Sequence, residues 1–127
     1  MNKPLTILVV EDSLLSQKAV NNQLSALGCI VDTASDGNAA IAKCNNSRYH
    51  AILMDLGLYP GMNGFEITKQ IKSKSMLNKN TLIIAHSIHD ESHFYNQLEE
   101  AGISHFIDKP LTYDEDKELV LFVSASS

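Results

Sequence analysis

With 127 residues and a net charge of −5, the chain is long enough for one domain with a buried core. It has no basic stripe or arginine cluster, which argues against direct nucleic-acid binding, and no apolar run approaches the length of a membrane span. The opening Met1-Asn2-Lys3-Pro4 is too short and polar for a signal peptide, and Cys29 and Cys44 stand far apart in no metal spacing, so two reduced thiols in a cytoplasmic protein are expected.

Apolar runs and helical patterns alternate along the chain. Thr6–Val10 reads as a strand, and Ser13–Leu27 as a helix with Val20, Leu24 and Leu27 on one face. Gly28 sits where a left-handed C-cap belongs. Ile30–Ala34 is a second strand, and Asn38 is placed to cap a short helix ending near Asn45. Ala51–Met54 is a third strand. Pro60-Gly61 and Asn63-Gly64 make a loop before a helix over Phe65–Lys74, and the polar stretch Ser73 to Asn80 reads as a connecting loop. Thr81–Ala85 is a fourth strand. Asp90 caps a helix carrying Phe94, Leu98 and Ala101, closed by Gly102. His105–Ile107 is a short fifth strand, and Thr112 with Glu115 has capping-box spacing ahead of a helix with Leu119, Phe122 and Val123 inward. Five such alternations predict an α/β fold, a doubly wound parallel sheet with helices on both faces. The near-continuous apolar strands fit a sheet buried on both sides.

The charged residues gather at one edge of that sheet. Glu11-Asp12, Asp55 and Asp108-Lys109 each follow an apolar strand, and ligands bind beyond the C-terminal strand ends in such folds. Three acids there cannot all ionise without a cation or raised pKa values. Mg²⁺ favours carboxylate oxygens, with Asp12 and Asp55 the better direct ligands and Glu11 acting through water. A carboxylate can also attack phosphorus to give an acyl phosphate. Lys109 and the Ser87 hydroxyl are placed to neutralise phosphoryl oxygens.

These segments together resemble the receiver domain of two-component response regulators (CheY-like). The matching runs are Ile7–Asp12, Ile52–Asp55, Pro60–Gly64, Ile83–Ser87 and Phe106–Pro110, which carry the resemblance over nearly the whole chain. It implies a single receiver domain over residues 1–127, with a flavodoxin-like five-stranded sheet in the order 2-1-3-4-5. It implies Asp55 as phosphoacceptor, loaded from a phosphohistidine on a sensor histidine kinase or a histidine phosphotransfer domain. Glu11, Asp12, Asp55 and the Gly57 carbonyl would hold Mg²⁺, and Ser87 and Lys109 would contact the phosphoryl group. Ser87 and Phe106 would switch the face formed by the fourth helix, fifth strand and fifth helix, leaving phosphorylation-dependent self-association open. The runs Val10–Ser13, Ser16–Lys18, Leu27–Cys29 and Ala34–Gly37 look most like receivers of hybrid sensor histidine kinases, so a fragment of such a kinase is one expectation. No membrane contact by this domain is expected.

Two other readings compete. A phosphatase or phosphotransferase built on an aspartyl phosphate usually has a second acid near the nucleophile and a cap over the substrate. Here Gly57 stands two residues after Asp55, and no segment is long enough for a cap, which argues against turnover of small substrates. A receiver-like interaction module that takes no phosphate is the alternative to the relay. His86, His89 and His93 read as solvated histidines at a helix start, not zinc ligands, and Asp114-Glu115-Asp116 reads as acids placed for a helix dipole.

The sequence departs from the family pattern around Asp55. Four residues, Leu56 to Tyr59, separate it from Pro60 where the family usually has three. Gly57 and His89 stand at positions that tune dephosphorylation in the family, and Ile88 replaces the usual small residue after the hydroxyl. A larger side chain there narrows access to the phosphoryl group. The expected outcome is slower reaction with small phosphodonors, and Ile88→Ala should be phosphorylated faster by a small acyl phosphate. Equal rates for the two chains would remove the argument.

Overall fold

β-branched and aliphatic runs pair side by side into one parallel sheet in the order β2-β1-β3-β4-β5. The computed structural model describes residues 4–58, 61–87, 95–103, 105–109 and 112–126. Tyr59, Pro60, Ile88, His89, Asp90, His93, Phe94 and Pro110 lie outside the described residues. The strands are β1 (Thr6–Val10), β2 (Ile30–Ala34), β3 (Ala51–Met54), β4 (Leu82–Ser87) and β5 (His105–Asp108). The helices are α1 (Leu14–Ala26), α2 (Gly37–Asn46), α3 (Gly64–Lys74), α4 (Tyr95–Ala101) and α5 (Tyr113–Ser126).

Strand alternation divides the core in two. Leu8, Val10, Ile52, Met54, Ile83 and Ala85 pack with residues of α2, α3 and α4. Ile7, Val9, Leu53 and Ile84 pack on the other side with Val20 and Leu24 of α1 and Leu119 and Val123 of α5. The fold is therefore the doubly wound α/β sheet that the element order predicts. None of its described helices is long and apolar enough to cross a membrane.

The caps show local chemistry setting the boundaries. Ser13 caps α1, its hydroxyl accepting from Ser16 N at 3.3 Å. Gly28 follows with φ +89°, the left-handed geometry expected of it. The α2 cap is Asp36, not Asn38. Asp36 is extended, and its Oδ1 accepts from Ala39 N at 2.8 Å, so the helix begins earlier than the sequence suggests. Asn63 and Glu66 form a capping box for α3, and Thr112 and Glu115 form another for α5.

β4 starts one residue later than expected and runs on to Ser87. Thr81 is diverted into a buried polar knot at the sheet's N-terminal edge. Asn78, fully buried, donates to Cys44 O at 2.7 Å and Ser47 O at 2.6 Å. Its Oδ1 accepts from Tyr49 N and Thr81 Oγ1, both at 2.9 Å. Ser75 Oγ donates to Cys44 O at 3.1 Å, so the α3–β4 connection is fastened to the α2–β3 connection. This stretch is a structural element in its own right, although it reads as a polar loop. Both cysteines are buried and unbridged.

Asn78→Ala would leave the buried Tyr49 N–H without its acceptor and take one donor each from the Cys44 and Ser47 carbonyls, costing about 2 kcal/mol. Urea unfolding checks this against Asn80→Ala, at an exposed neighbour, which is expected to change little.

Candidate functional site

The strand order reverses between β1 and β3, so their C-terminal ends diverge into a crevice on one edge of the sheet. Ladder bonds carry the backbone one residue past each strand: Glu11 N donates to Ala34 O at 2.9 Å, and Asp55 N donates to Val10 O at 3.1 Å. Glu11 and Asp55 are therefore fixed beside each other at 3% and 8% exposure, while Asp12 is open to solvent. One carboxylate oxygen from each of the three lies within 4.8 Å of the others. An all-oxygen set of this kind can hold a hard divalent cation.

Lys109 enters from the end of β5. Its Nζ donates to Asp55 Oδ2 at 3.1 Å and, in a shorter contact, to Glu11 Oε1. The other Asp55 oxygen, Oδ1, accepts from Gly57 N at 2.9 Å, and Glu11 Oε2 accepts from Ser13 N at 3.2 Å. Both carboxylates are thus held by one ammonium and one backbone N–H each.

Burial holds the Glu11 carboxyl well above its usual range, at about 7. The Lys109 hydrogen bond pulls it down, Asp55 pushes it up by hydrogen bonding and by charge, and the Ser13 amide pulls it down a little. For Lys109, burial favours the neutral amine, but Glu11 and Asp55 outweigh it and hold the lysine above its ordinary value. The lysine therefore stays charged between the two carboxylates.

The expected site residues fall along this edge. Ser87 ends β4, is 1% exposed, and its carbonyl accepts from Lys109 N at 3.0 Å. Phe106 pairs in register with Ala85 on β5 and is half-buried against the α2-α3-α4 core. Gly57 is exposed between the buried Leu56 and Leu58, which anchor the loop after β3 in the core. Ile88 and His89 lie outside the described residues.

Four residues matter here more than sequence reasoning allowed. Gln17 is buried on α1, donating to Glu11 O and, at 3.0 Å, to Ser35 Oγ. The available signal was its place three residues before Val20 and seven before Leu24, a polar residue in an apolar stripe. Gly64 packs so close to the β3 end that a Cβ would sit 2.4 Å from Asp55 O. His86 is not solvated: it is 5% exposed inside β4. Asp116 is 1% exposed, so the helix-dipole reading suits Asp114 and Glu115 but not this third acid.

A family model for the response regulator receiver domain matches residues 7–121. The chain belongs to the response regulator receiver family. It is 31% identical over 119 residues to hybrid signal transduction histidine kinase L of Dictyostelium discoideum, covering 90% of this chain and 7% of that protein. It is 33% identical over 109 residues to two-component response regulator 24 of Arabidopsis thaliana, covering 85% of this chain and 76% of that one. CheY4 of Vibrio cholerae superposes with a TM-score of 0.87 at 26% identity, covering 95% of this chain and 99% of the other. The receiver domain of sensor histidine kinase PA1611 from Pseudomonas aeruginosa PAO1, solved with a magnesium ion coordinated in its active site cleft, gives 0.84 at 27% identity, covering 96% and 99%. Receivers of two-component systems thus include this chain, and its fold is theirs.

Because folded Glu11 keeps a proton that the unfolded chain has released, its contribution to stability is full below pH 4.5 and is lost as pH rises to about 7. Without divalent cations, the stability of the parent relative to Glu11→Gln should fall by on the order of 3 kcal/mol across that window. Paired urea titrations at several pH values measure it, and a flat or rising difference would refute the assignment.

Proposed function

We propose that this receiver takes a phosphoryl group on Asp55 in a His-to-Asp relay. The observation that carries the reading is the set of groups converging on one carboxylate. Lys109 Nζ holds one oxygen of Asp55, Gly57 N–H holds the other, and the Glu11 and Asp12 carboxylates complete a 4.8 Å cluster. The donor is a phosphohistidine on a sensor histidine kinase or on a histidine phosphotransfer domain. An Asp55 oxygen forms the new P–O bond as the P–N bond breaks, and the bonding pair leaves on the imidazole nitrogen. Such transfers depend on positioning and charge neutralisation more than on acid–base chemistry.

Lys109 moves from neutralising two carboxylates to neutralising phosphoryl oxygens. Ser87, at the end of the neighbouring strand, supplies a hydroxyl donor. Glu11, Asp12, Asp55 and the Gly57 carbonyl would hold Mg²⁺, which when bound offsets the negative charge of acids and phosphoryl group together. The oxygen-only donor set supports that ion, with Glu11 acting through water. Ser87 and Phe106 on the adjacent strands β4 and β5 would carry the change to the α4-β5-α5 face, where self-association or partner docking would respond. The setting is cytoplasmic.

The test is incubation with acetyl phosphate and Mg²⁺, followed by intact mass, beside Asp55→Asn. A Mg²⁺-dependent adduct, stable in acid and labile in base, is expected on the parent and absent from the variant. No adduct from acetyl phosphate or from a phosphorylated histidine partner would favour a receiver-like interaction module. Rapid multiple turnover would favour an enzyme.

A further inference from the structure

Three residues of α1 are buried: Gln17, Val20 and Leu24. Val20 and Leu24 pack with Ile7, Val9 and Leu53 in the core on one side of the sheet. Gln17 is of another kind. Its primary amide is unfavourable to bury unless its hydrogen bonds are made. An apolar side chain of similar volume would fill the place without that cost. What the amide bonds therefore accounts for its presence.

Both of its partners lie at the acidic edge. Gln17 Nε2 donates to the Glu11 carbonyl and, at 3.0 Å, to the Ser35 hydroxyl. The amide nitrogen carries two N–H groups, so one side chain serves both bonds. Ser35 directly follows β2, which ends at Ala34. Gln17 thus joins α1 to the ends of β1 and β2 at once.

The bond to Glu11 falls at a telling place. That carbonyl belongs to the peptide joining Glu11 to Asp12, and the peptide is a rigid plane. Fixing its oxygen fixes the direction in which the chain enters Asp12. The flanking groups are held too: Glu11 N donates to Ala34 O at 2.9 Å, and Ser13 N donates to Glu11 Oε2 at 3.2 Å. Ser13 in turn caps α1, the helix that carries Gln17, so the β1–α1 connection is closed into a ring of bonds. Asp12 itself is exposed, so the backbone on either side, and not the core, places its carboxylate. One oxygen each from Glu11, Asp12 and Asp55 lies within 4.8 Å of the others, and Mg²⁺ accepts little departure from octahedral geometry.

We propose that Gln17 is a positioning residue for the cation site: its amide locks the Glu11–Asp12 peptide and so holds the Asp12 carboxylate, beside Glu11, in the arrangement that binds Mg²⁺. Gln17 acts through the backbone and does not touch the ion. Its second bond makes the start of the β2–α2 connection, at Ser35, part of the same brace. The inference rests on the cation site of the proposed function and extends it to an uncharged residue of α1.

The test is direct Mg²⁺ binding to the full chain, followed by backbone amide resonances during titration with magnesium chloride and no phosphodonor. Gln17→Met keeps the volume and removes both donors. Its dissociation constant for Mg²⁺ should rise about tenfold over the parent's, the scale on which partners that orient metal ligands act. Asn78→Ala is the control. It weakens the fold at the opposite edge of the sheet, removes none of these bonds, and should bind Mg²⁺ within about twofold of the parent. A dissociation constant for Gln17→Met within about twofold of the parent's would overturn the proposal. An equal loss of affinity in Asn78→Ala would also overturn it, by tracing the effect to general loosening. If the parent binds no Mg²⁺, the cation reading and the positioning role fall together, whereas equal binding by parent and Gln17→Met refutes the positioning role alone. Should Gln17→Met fail to fold, Gln17→Asn takes its place under the same criteria, since it keeps the amide but is one methylene too short to reach the carbonyl.

Discussion

The ammonium of Lys109 is the interaction on which the acidic edge depends. Fold topology forces Glu11 and Asp55 together, since β1 and β3 are neighbours in register and each ends in an acid. Two largely buried carboxylates with a third nearby repel one another in a medium that screens poorly. Lys109 bridges both, and so closes the ends of β1, β3 and β5 with one charge. The balance is incomplete: three acids face one lysine, and burial, with Asp55 alongside, holds the Glu11 carboxyl up at about 7. A site left short of positive charge is prepared for a cation, and a lysine already in place is prepared for an anion.

The opposite edge of the sheet has the reverse character. Asn78, Ser75 and Thr81 are fully engaged with backbone groups of the α2–β3 connection, with neutral partners and direct bonds. Buried networks of that kind stabilise one arrangement strongly because each partner lost leaves another unsatisfied. The domain thus places its rigid polar anchor at the N-terminal strand ends and its electrostatic frustration at the C-terminal ends. Charge changes at the acidic edge can then move local elements without loosening the sheet.

Much of this was legible because hydrophobic runs and strand ends are local signals. The five strands follow from apolar runs, and the acids stand out because charge after such a run is conspicuous. What the sequence concealed is position within a helix or loop. Asp36 and Asn38 are both capable caps, and only the extended backbone at Asp36 decides between them. Asn78 looks like ordinary loop polarity until the end of α2 and its connection to β3 close around it. His86 and Asp116 were misplaced for the same reason: each sits beside other polar residues in sequence, so local composition suggested solvent. Their burial follows from strand parity and helix periodicity, carried one step past the obvious apolar residues. Gly64 needed the third dimension entirely, since its missing side chain is required by the backbone of Asp55.

The bonds at Asp55 also bear on how a nucleophile there could act. Both of its oxygens are occupied, Oδ2 by Lys109 and Oδ1 by the Gly57 amide. Donors of this kind stabilise the carboxylate charge and so reduce its reactivity. For either oxygen to reach phosphorus, one donor must release it or share it. Lys109 has an attractive alternative once phosphoryl oxygens arrive, because its charge can follow the developing negative charge. Gly57 has a different freedom: it is exposed, without a side chain, between two leucines sunk in the core. Its peptide can turn while Leu56 and Leu58 keep the loop anchored. In the phosphoacceptor reading, Asp55 is therefore held ready by two releasable contacts. The anchoring of Leu56 and Leu58 in the core sets how readily the second of them lets go.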